Sequence, residues 1–260
     1  MAGKYFIAVD CEGVACGVRL DEAESLRFAR GQATREAAAA ARALFDAGAD
    51  EVVVWDAHGS GVNLDYEVLD PRCHILLGAG HKGRFVGIDE TWTAVLFIGY
   101  HAMEGTRNAV LSHTMSSTTY QSFTVNGSPV GEMAIDAAYA GIHGVPVLFL
   151  AADDKCVREA RALLGGVAAV ETKKSLSRTS AVSLHPAAAC DAIYAAVLRA
   201  ANEGPRVGPV DFGSPVAVAI RFQRTDQAAS AQLVDRDGNP FAFRDAFTRE
   251  GMLNRLTDLF

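Results

Sequence analysis

Three apolar runs in the first hundred residues each lead into side chains that bind metal ions well. The runs are residues 6–9, 51–55 and 94–100, and the side chains that follow them are Asp10 and Glu12, then His58, then His101. If the runs are strands of one open α/β sheet, their carboxyl ends meet in the crevice where such sheets bind ligands. Carboxylate oxygen and imidazole nitrogen together suit zinc and similar first-row ions. The leading hypothesis is therefore a metal site.

Asp10 and Glu12 are two residues apart, so on an extended chain both carboxylates leave the same face. Two carboxylates held in this way repel each other unless a cation lies between them. The alternative is a solvated strand end with Gly13 in the turn. For His58 or His101 alone, a hydrogen-bonded structural histidine is the better interpretation. Their shared position after a strand favours a metal site instead.

His113 lies among hydroxyl side chains, in Ser112-His113-Thr114-Met115-Ser116-Ser117. Hydroxyl neighbours can orient an imidazole and select its tautomer. No G-x-S-x-G elbow is present, so a serine hydrolase triad has little support. Glu132 begins a predicted helix, where the helix dipole favours a glutamate whatever its function. Spacing alone therefore does not select Glu132.

Residues 78–83 match the pattern G-x-G-x-x-G after a possible strand. No clear helical period follows them, and the first strand–helix turn, where a dinucleotide site normally lies, has no such glycines. A glycine-rich surface loop is the favoured interpretation, and a nucleotide-binding protein is only a remote alternative.

The composition is that of an ordinary globular protein, with 260 residues, half of them hydrophobic, and a formal net charge of −7. Without a clustered basic face, no nucleic-acid partner is expected. No signal peptide and no apolar run of membrane-spanning length is recognised, so no membrane partner is expected. Five cysteines without C-x-x-C spacing indicate free thiols in a reducing compartment. A cytoplasmic location follows as a prediction.

The elements that must position these side chains alternate between strand and helix. Strand 4–10, helix 21–45 and strand 51–56 predict a right-handed crossover and a parallel sheet. Further strands are predicted at 73–77, 93–100 and 145–151, helices at 131–142 and 153–164, and a hairpin at 119–130 with its turn at Asn126-Gly127. The predicted fold class is α/β, a mostly parallel sheet with flanking helices in a Rossmann-like three-layer arrangement.

After about residue 170 the pattern of predicted strands and helices changes. A strand at 168–173, a helix at 186–203, a strand at 215–223 and a terminal helix from about 247 predict a smaller α+β unit at the C-terminal end. We therefore expect an α/β catalytic domain over 1–168 and a smaller α+β domain over 169–260.

Several short motifs, in this order along the chain, resemble those of the zinc D-aminopeptidases of the DppA type. They are Val9-Asp10-Cys11-Glu12-Gly13-Val14, Asp56-Ala57-His58, Phe97-Ile98-Gly99-Tyr100-His101, Leu111-Ser112-His113-Thr114-Met115 and Pro129-Val130-Gly131-Glu132. Ser175-Leu176-Ser177-Arg178 with Leu184-His185-Pro186 is similar to a later segment of that family. The resemblance covers about residues 4–190.

The resemblance implies two zinc ions per chain. Asp10 would bridge both ions, Glu12 and His58 would complete the first site, and His101 and Glu132 the second. His113 matches a histidine with a catalytic part in the family. The family also implies a homodecamer of two stacked five-membered rings. Cys11 departs from the bulkier apolar residue common in the family, and we expect a packed thiol there.

The predicted function is a two-zinc aminopeptidase that releases N-terminal residues from short peptides or amides. Preference for D-amino acids follows from the resemblance only. One alternative is a two-metal amidase or L-peptidase on the same site. A remoter alternative is a metal-stabilised assembly or binding protein without catalysis.

Overall fold

The computed structural model describes residues 3–259, which form two sheets and their flanking helices. The strands are β1 (Lys4–Val9), β2 (Glu51–Asp56), β3 (His74–Leu76), β4 (Ala94–Tyr100), β5 (Tyr120–Val125), β6 (Ser128–Val130), β7 (Val147–Asp153), β8 (Ala168–Ser177), β9 (Ser180–Ser183), β10 (Val216–Phe222), β11 (Ala242–Asp245) and β12 (Thr248–Leu253). The helices are α1 (Ala23–Asp46), α2 (Glu132–Ile142), α3 (Asp154–Leu164), α4 (Pro186–Glu203) and α5 (Thr225–Ser230), with short 3₁₀ helices at Tyr66–Val68 and Leu256–Leu259.

The larger sheet has the order β3-β2-β1-β4-β7-β8-β9. Its pairs are parallel except for β8 with β9, which confirms the predicted α/β fold with a mostly parallel sheet. Every residue of β4 and of β7 is buried, because helices and the second sheet cover both faces.

The side chains of β1 alternate between the two faces of this sheet. Tyr5, Ile7 and Val9 belong to a core that includes residues of α1 and α4. Phe6 and Ala8 belong to the opposite core, which includes residues of α2, α3 and the second sheet. The period of two residues therefore places helical layers on both faces.

The smaller sheet is antiparallel, with the order β11-β12-β10-β5-β6. It combines the predicted hairpin, whose tight turn is Asn126-Gly127, with three strands from the end of the chain. The division into domains at residue 168 stays a prediction. The structure places β8 and β9 in the larger sheet and the β5–β6 hairpin in the smaller one.

The predicted terminal helix from about residue 247 is wrong. Residues Thr248–Leu253 are the strand β12, which pairs with both β10 and β11. Gly251 weakens a helix at this position, and pairing with the apolar strand β10 decides the conformation. Within the described chain, no helix combines the length and the apolarity that crossing a membrane requires.

Candidate metal centre

Six predicted site residues come together at the carboxyl end of the larger sheet and beside the start of α2. Asp10 and Glu12 follow β1, His58 follows β2, His101 follows β4, Glu132 is the first residue of α2, and His113 lies in the loop between β4 and β5. Asp10, Glu12, His101 and Glu132 are buried, and His58 and His113 are partly buried.

Two glycines allow the segment after β1 to lie against the end of β4. A Cβ atom at Gly13 would lie 1.7 Å from the carbonyl oxygen of Tyr100, and one at Gly99 would lie 2.1 Å from that of Asp10. The backbone N–H of Asp10 donates to Ile98 O at 2.8 Å, and that of Gly13 donates to Gly99 O at 2.7 Å. This close approach brings the Asp10 carboxylate to the His101 imidazole.

The imidazole and carboxylate groups lie within a few ångströms of one another. His58 Nε2 is 3.2 Å from Glu12 Oε1. His101 Nε2 is 3.5 Å from Asp10 Oδ2 and 3.5 Å from Glu132 Oε1. His101 is thus the imidazole that connects the Asp10–Glu12 pair with Glu132.

Backbone carbonyls fix the orientation of two imidazoles. His101 Nδ1 lies 3.0 Å from Ala102 O, and His113 Nδ1 lies 2.8 Å from Leu111 O. Since a carbonyl only accepts, each Nδ1 carries the proton, and each Nε2 of the neutral ring is left as a ligand or proton acceptor. His113 Nε2 lies 3.5 Å from Glu132 Oε1. The rings of His101 and His113 are stacked, with centroids 4.1 Å apart.

Charge and burial oppose each other at these groups. Burial and the neighbouring Glu12 carboxylate raise the pKa of Asp10 well above its usual range. Burial alone would raise the pKa of Glu132, but the neighbouring His101 imidazole lowers it to about 2. Burial would lower the pKa of His101, and Glu132 and Asp10 outweigh it and raise that pKa well above its usual value. The pKa of each of these groups therefore depends on the carboxylates and imidazoles packed around it.

The arrangement fits bound metal ions. Glu12 Oε2 and His101 Nε2 are buried and accept no hydrogen bond from residues 3–259. Two sets of ligand atoms lie within 4.8 Å of one another, Asp10 with Glu12 and His101, and His101 with His113 and Glu132. Buried polar atoms without partners are costly, and a cation at this place would satisfy them. The mixed oxygen and nitrogen donors suit a first-row divalent ion.

Asp56, which precedes His58 by two residues, stabilises the loop that carries this histidine. Its carboxylate accepts hydrogen bonds from the Asn63 side chain at 2.8 Å and from the Leu64 N–H at 2.9 Å, and Asn63 also donates to His58 O. These bonds close the loop that carries His58. Cys11 is a buried thiol, as predicted, and burial raises its pKa to about 11 against the effect of His58.

The sequence interpretation missed Lys173, which is 2% exposed. Its Nζ donates to three backbone carbonyls of the segment after β1, those of Glu12, Val14 and Gly17. The lysine lies on β8, about 160 residues from its partners, and no local pattern indicates this role. Asp153 is the cap of α3, and it also accepts a hydrogen bond from the Ala102 N–H at 3.1 Å, which the sequence interpretation did not foresee.

The glycine-rich loop at 78–83 opens no helix, and its His81 ring bonds to Gly83 O at 3.1 Å. It lacks the helix N-terminus on which a dinucleotide site depends. The structure therefore adds no support to the nucleotide alternative.

The parallel sheet and the cluster of carboxylates and imidazoles at its carboxyl end define an α/β protein of the metalloenzyme class. The family model Peptidase_M55, described as D-aminopeptidase, matches residues 4–238. The chain belongs to this family of D-aminopeptidases.

Two relatives extend the comparison. A D-aminopeptidase of Bacillus subtilis (strain 168) is 32% identical over 237 residues, which cover 89% of this chain and 85% of the relative. The solved structure of the zinc-dependent D-aminopeptidase DppA from Bacillus subtilis, described as a self-compartmentalizing protease, superposes with a TM-score of 0.90 at 27% identity. That likeness covers 98% of this chain and 93% of the other.

Proposed function

We propose that this chain is a two-zinc aminopeptidase that releases N-terminal D-amino acids from short peptides or amides. The observation that carries the proposal is the buried cluster of three carboxylates and their histidines, with Glu12 Oε2 and His101 Nε2 left without hydrogen-bond partners in residues 3–259. Family membership and the zinc dependence of the DppA structure support it.

The residues that would hold the metals are Asp10, Glu12, His58, His101 and Glu132. The Asp10 carboxylate lies within 4.8 Å of ligand atoms of both Glu12 and His101, and this position suits the shared ligand of a two-ion site. Two zinc ions would act as Lewis acids that polarise the scissile carbonyl and lower the pKa of a water molecule. The carbonyls of Ala102 and Leu111 hold the imidazoles of His101 and His113 in place. The Asn63 side chain holds the loop that carries His58.

His113 is the proposed proton carrier. The bond from Nδ1 to Leu111 O turns its Nε2 toward the cluster. Burial lowers the pKa of His113, so a neutral ring is available near neutral pH. A neutral imidazole can accept a proton and then pass it to the leaving amine. The carboxylates beside it are the proposed metal ligands.

The neighbouring cleft suits a short peptide. It has a volume of about 420 Å³ and includes Glu12 and His113 in its wall. Small-molecule sites typically have volumes of about 300–1,000 Å³. The preference for D-residues rests on the family, because metal chemistry does not select handedness and the cleft walls do.

Assembly and location complete the proposal. The DppA structure is described as self-compartmentalizing. We accordingly propose a homodecamer of two five-membered rings, in the cytoplasm. Multi-angle light scattering on the purified chain should give a mass near ten times 27.5 kDa.

The test combines metal analysis with paired substrates. The purified protein should carry two zinc ions per chain and should hydrolyse D-alanyl amides faster than L-alanyl amides. A protein without metal would contradict the site. A preference for the L form would favour the alternative function of an L-peptidase. Cleavage of non-peptide amides alone would favour the alternative function of an amidase.

A further inference from the structure

We infer that Arg178 binds the carboxylate of the substrate and so distinguishes short peptides with a free C-terminus from amides. The inference deepens the proposed function and rests on it. The cleft of about 420 Å³ contains Arg178 in its wall, together with Glu12 and His113. A peptide whose reacting bond lies at the cluster extends its leaving group into this cleft.

Two arginines line the cleft, and within residues 3–259 only one of them lacks an ion pair with a carboxylate. Arg19 pairs with Asp21 at 2.8 Å and with Glu22 at 3.1 Å. Arg178 forms no ion pair with any carboxylate of residues 3–259. Its positive charge is therefore available to an anionic group of the substrate.

Arg178 is held in position by the loop that carries His113. Its Nη1 donates to Ser112 O at 2.8 Å, and its own carbonyl accepts from the Leu111 N–H at 3.0 Å. Since one of five guanidinium N–H groups is used in that contact, the others can bind a carboxylate in the bidentate manner. The guanidinium thus contacts Ser112, the residue next to the proposed proton carrier His113, and this hydrogen bond fixes its orientation.

Two apolar residues of the wall are compatible with this role. Leu20 and Leu111 are apolar and partly buried, and they line the same cleft. They provide a surface for the side chain of a leaving residue. A charged end group held by Arg178 and an apolar contact beside it match the C-terminal residue of a short peptide.

The experiment compares D-alanyl-glycine with D-alanyl-glycinamide, which differ only in the terminal carboxylate. On the zinc-loaded protein, Arg178→Gln should raise KM for the acid about 10-fold, the size expected for one exposed charged hydrogen-bonded contact. It should leave kcat for the acid, and both constants for the amide, within about 2-fold. Arg178→Lys should recover part of the loss, since it keeps the charge without the planar fork.

Arg161→Gln is the matched control, because Arg161 is an exposed arginine on α3 paired with Glu171 at 3.2 Å. Equal losses of kcat on both peptides in Arg178→Gln would show that Arg178 only holds the His113 loop, which overturns the inference. No change on the acid, or a selective loss in Arg19→Gln instead, would also overturn it. If the wild type cleaves neither peptide, the proposed function fails. In that case calorimetry would measure the affinity of the two peptides for wild type and Arg178→Gln. A loss of affinity for the acid alone would support the role of Arg178, and equal affinities would overturn it.

Discussion

At the scale of single residues, His113 is the side chain whose role is most open to a direct test. We expect His113→Ala to keep the two zinc ions proposed for the site and to lose about 10²- to 10⁴-fold in kcat, the usual contribution of a positioned acid–base group. Elemental analysis and steady-state kinetics measure the two effects. His143→Ala, at the exposed end of α2, is the control. Full turnover would refute the role, and loss of one zinc ion would make His113 a ligand.

Glu36 is a buried carboxyl that connects helix α1 to the segment after β1. It is 0% exposed, and its Oε1 accepts hydrogen bonds from the Ala15 N–H at 2.9 Å and from the Gln32 side chain at 2.8 Å. Burial raises its pKa to about 7, although these bonds oppose the shift. The folded chain therefore keeps this proton at pH values where the unfolded chain has released it.

The effect of Glu36 on stability follows with a definite sign. A raised carboxyl pKa stabilises the fold below pH 4.5, and this contribution is lost as the pH rises from 4.5 to about 7. The loss amounts to about 3 kcal/mol of the free energy of unfolding. Glu36→Gln should remove this fall. Urea unfolding at several pH values measures it, with the exposed Glu24→Gln as control. Parallel pH curves for wild type and Glu36→Gln would contradict the prediction.

The residues that the strand-end pattern indicated share one property. Asp10, Glu12, His58 and His101 each follow a strand of the parallel sheet, and the carboxyl ends of such strands meet by geometry. Glu132 is the first residue of α2, after the β5–β6 hairpin, and does not follow a strand of the parallel sheet. The strand-end pattern therefore did not indicate it, and only the family resemblance did. Lys173 reaches the site from β8, by a contact between distant parts of the chain.

At the scale of elements, Lys173 joins β8 to the segment that carries Glu12. Lys173→Met would leave three buried carbonyls without their donor, and we expect a loss of about 3 kcal/mol in the free energy of unfolding. Because the Glu12 segment loosens, zinc affinity should fall about 10- to 100-fold. Chemical denaturation and competitive zinc titration measure the two quantities.

The neighbouring lysine provides the control for this prediction. Lys174 is exposed on the same strand, and Lys174→Met should change the free energy of unfolding by less than about 0.5 kcal/mol. If Lys173→Met binds zinc as tightly as Lys174→Met does, β8 has no part in organising the site.

The elements themselves were predictable where their signals are local. Apolar runs such as Ala94–Tyr100 and the alanine-rich α1 indicated the parallel sheet and its crossover helix. Strand β12 was mistaken for a helix, because its conformation depends on pairing with β10 and β11, and this pairing is not encoded in the segment itself.

At the scale of the whole molecule, metal removal separates catalysis from assembly. We expect chelation to abolish hydrolysis while the oligomer stays intact, because the cluster lies at the carboxyl end of one chain's own sheet. Activity assays and light scattering before chelation, after it and after zinc is restored measure both properties. Dissociation of the oligomer, with no activity to lose, would instead support the metal-stabilised, non-catalytic alternative.

The joining of Glu132 to the cluster also has a consequence for the order of folding. Four of the proposed ligands follow strands of the larger sheet, whereas Glu132 comes directly after β6 of the smaller one. All five come together only when pairings between distant segments and the contact between the two sheets have formed, and such contacts form slowly. Zinc should accordingly bind late on the folding route, so that it prolongs the lifetime of the native state without hastening its formation.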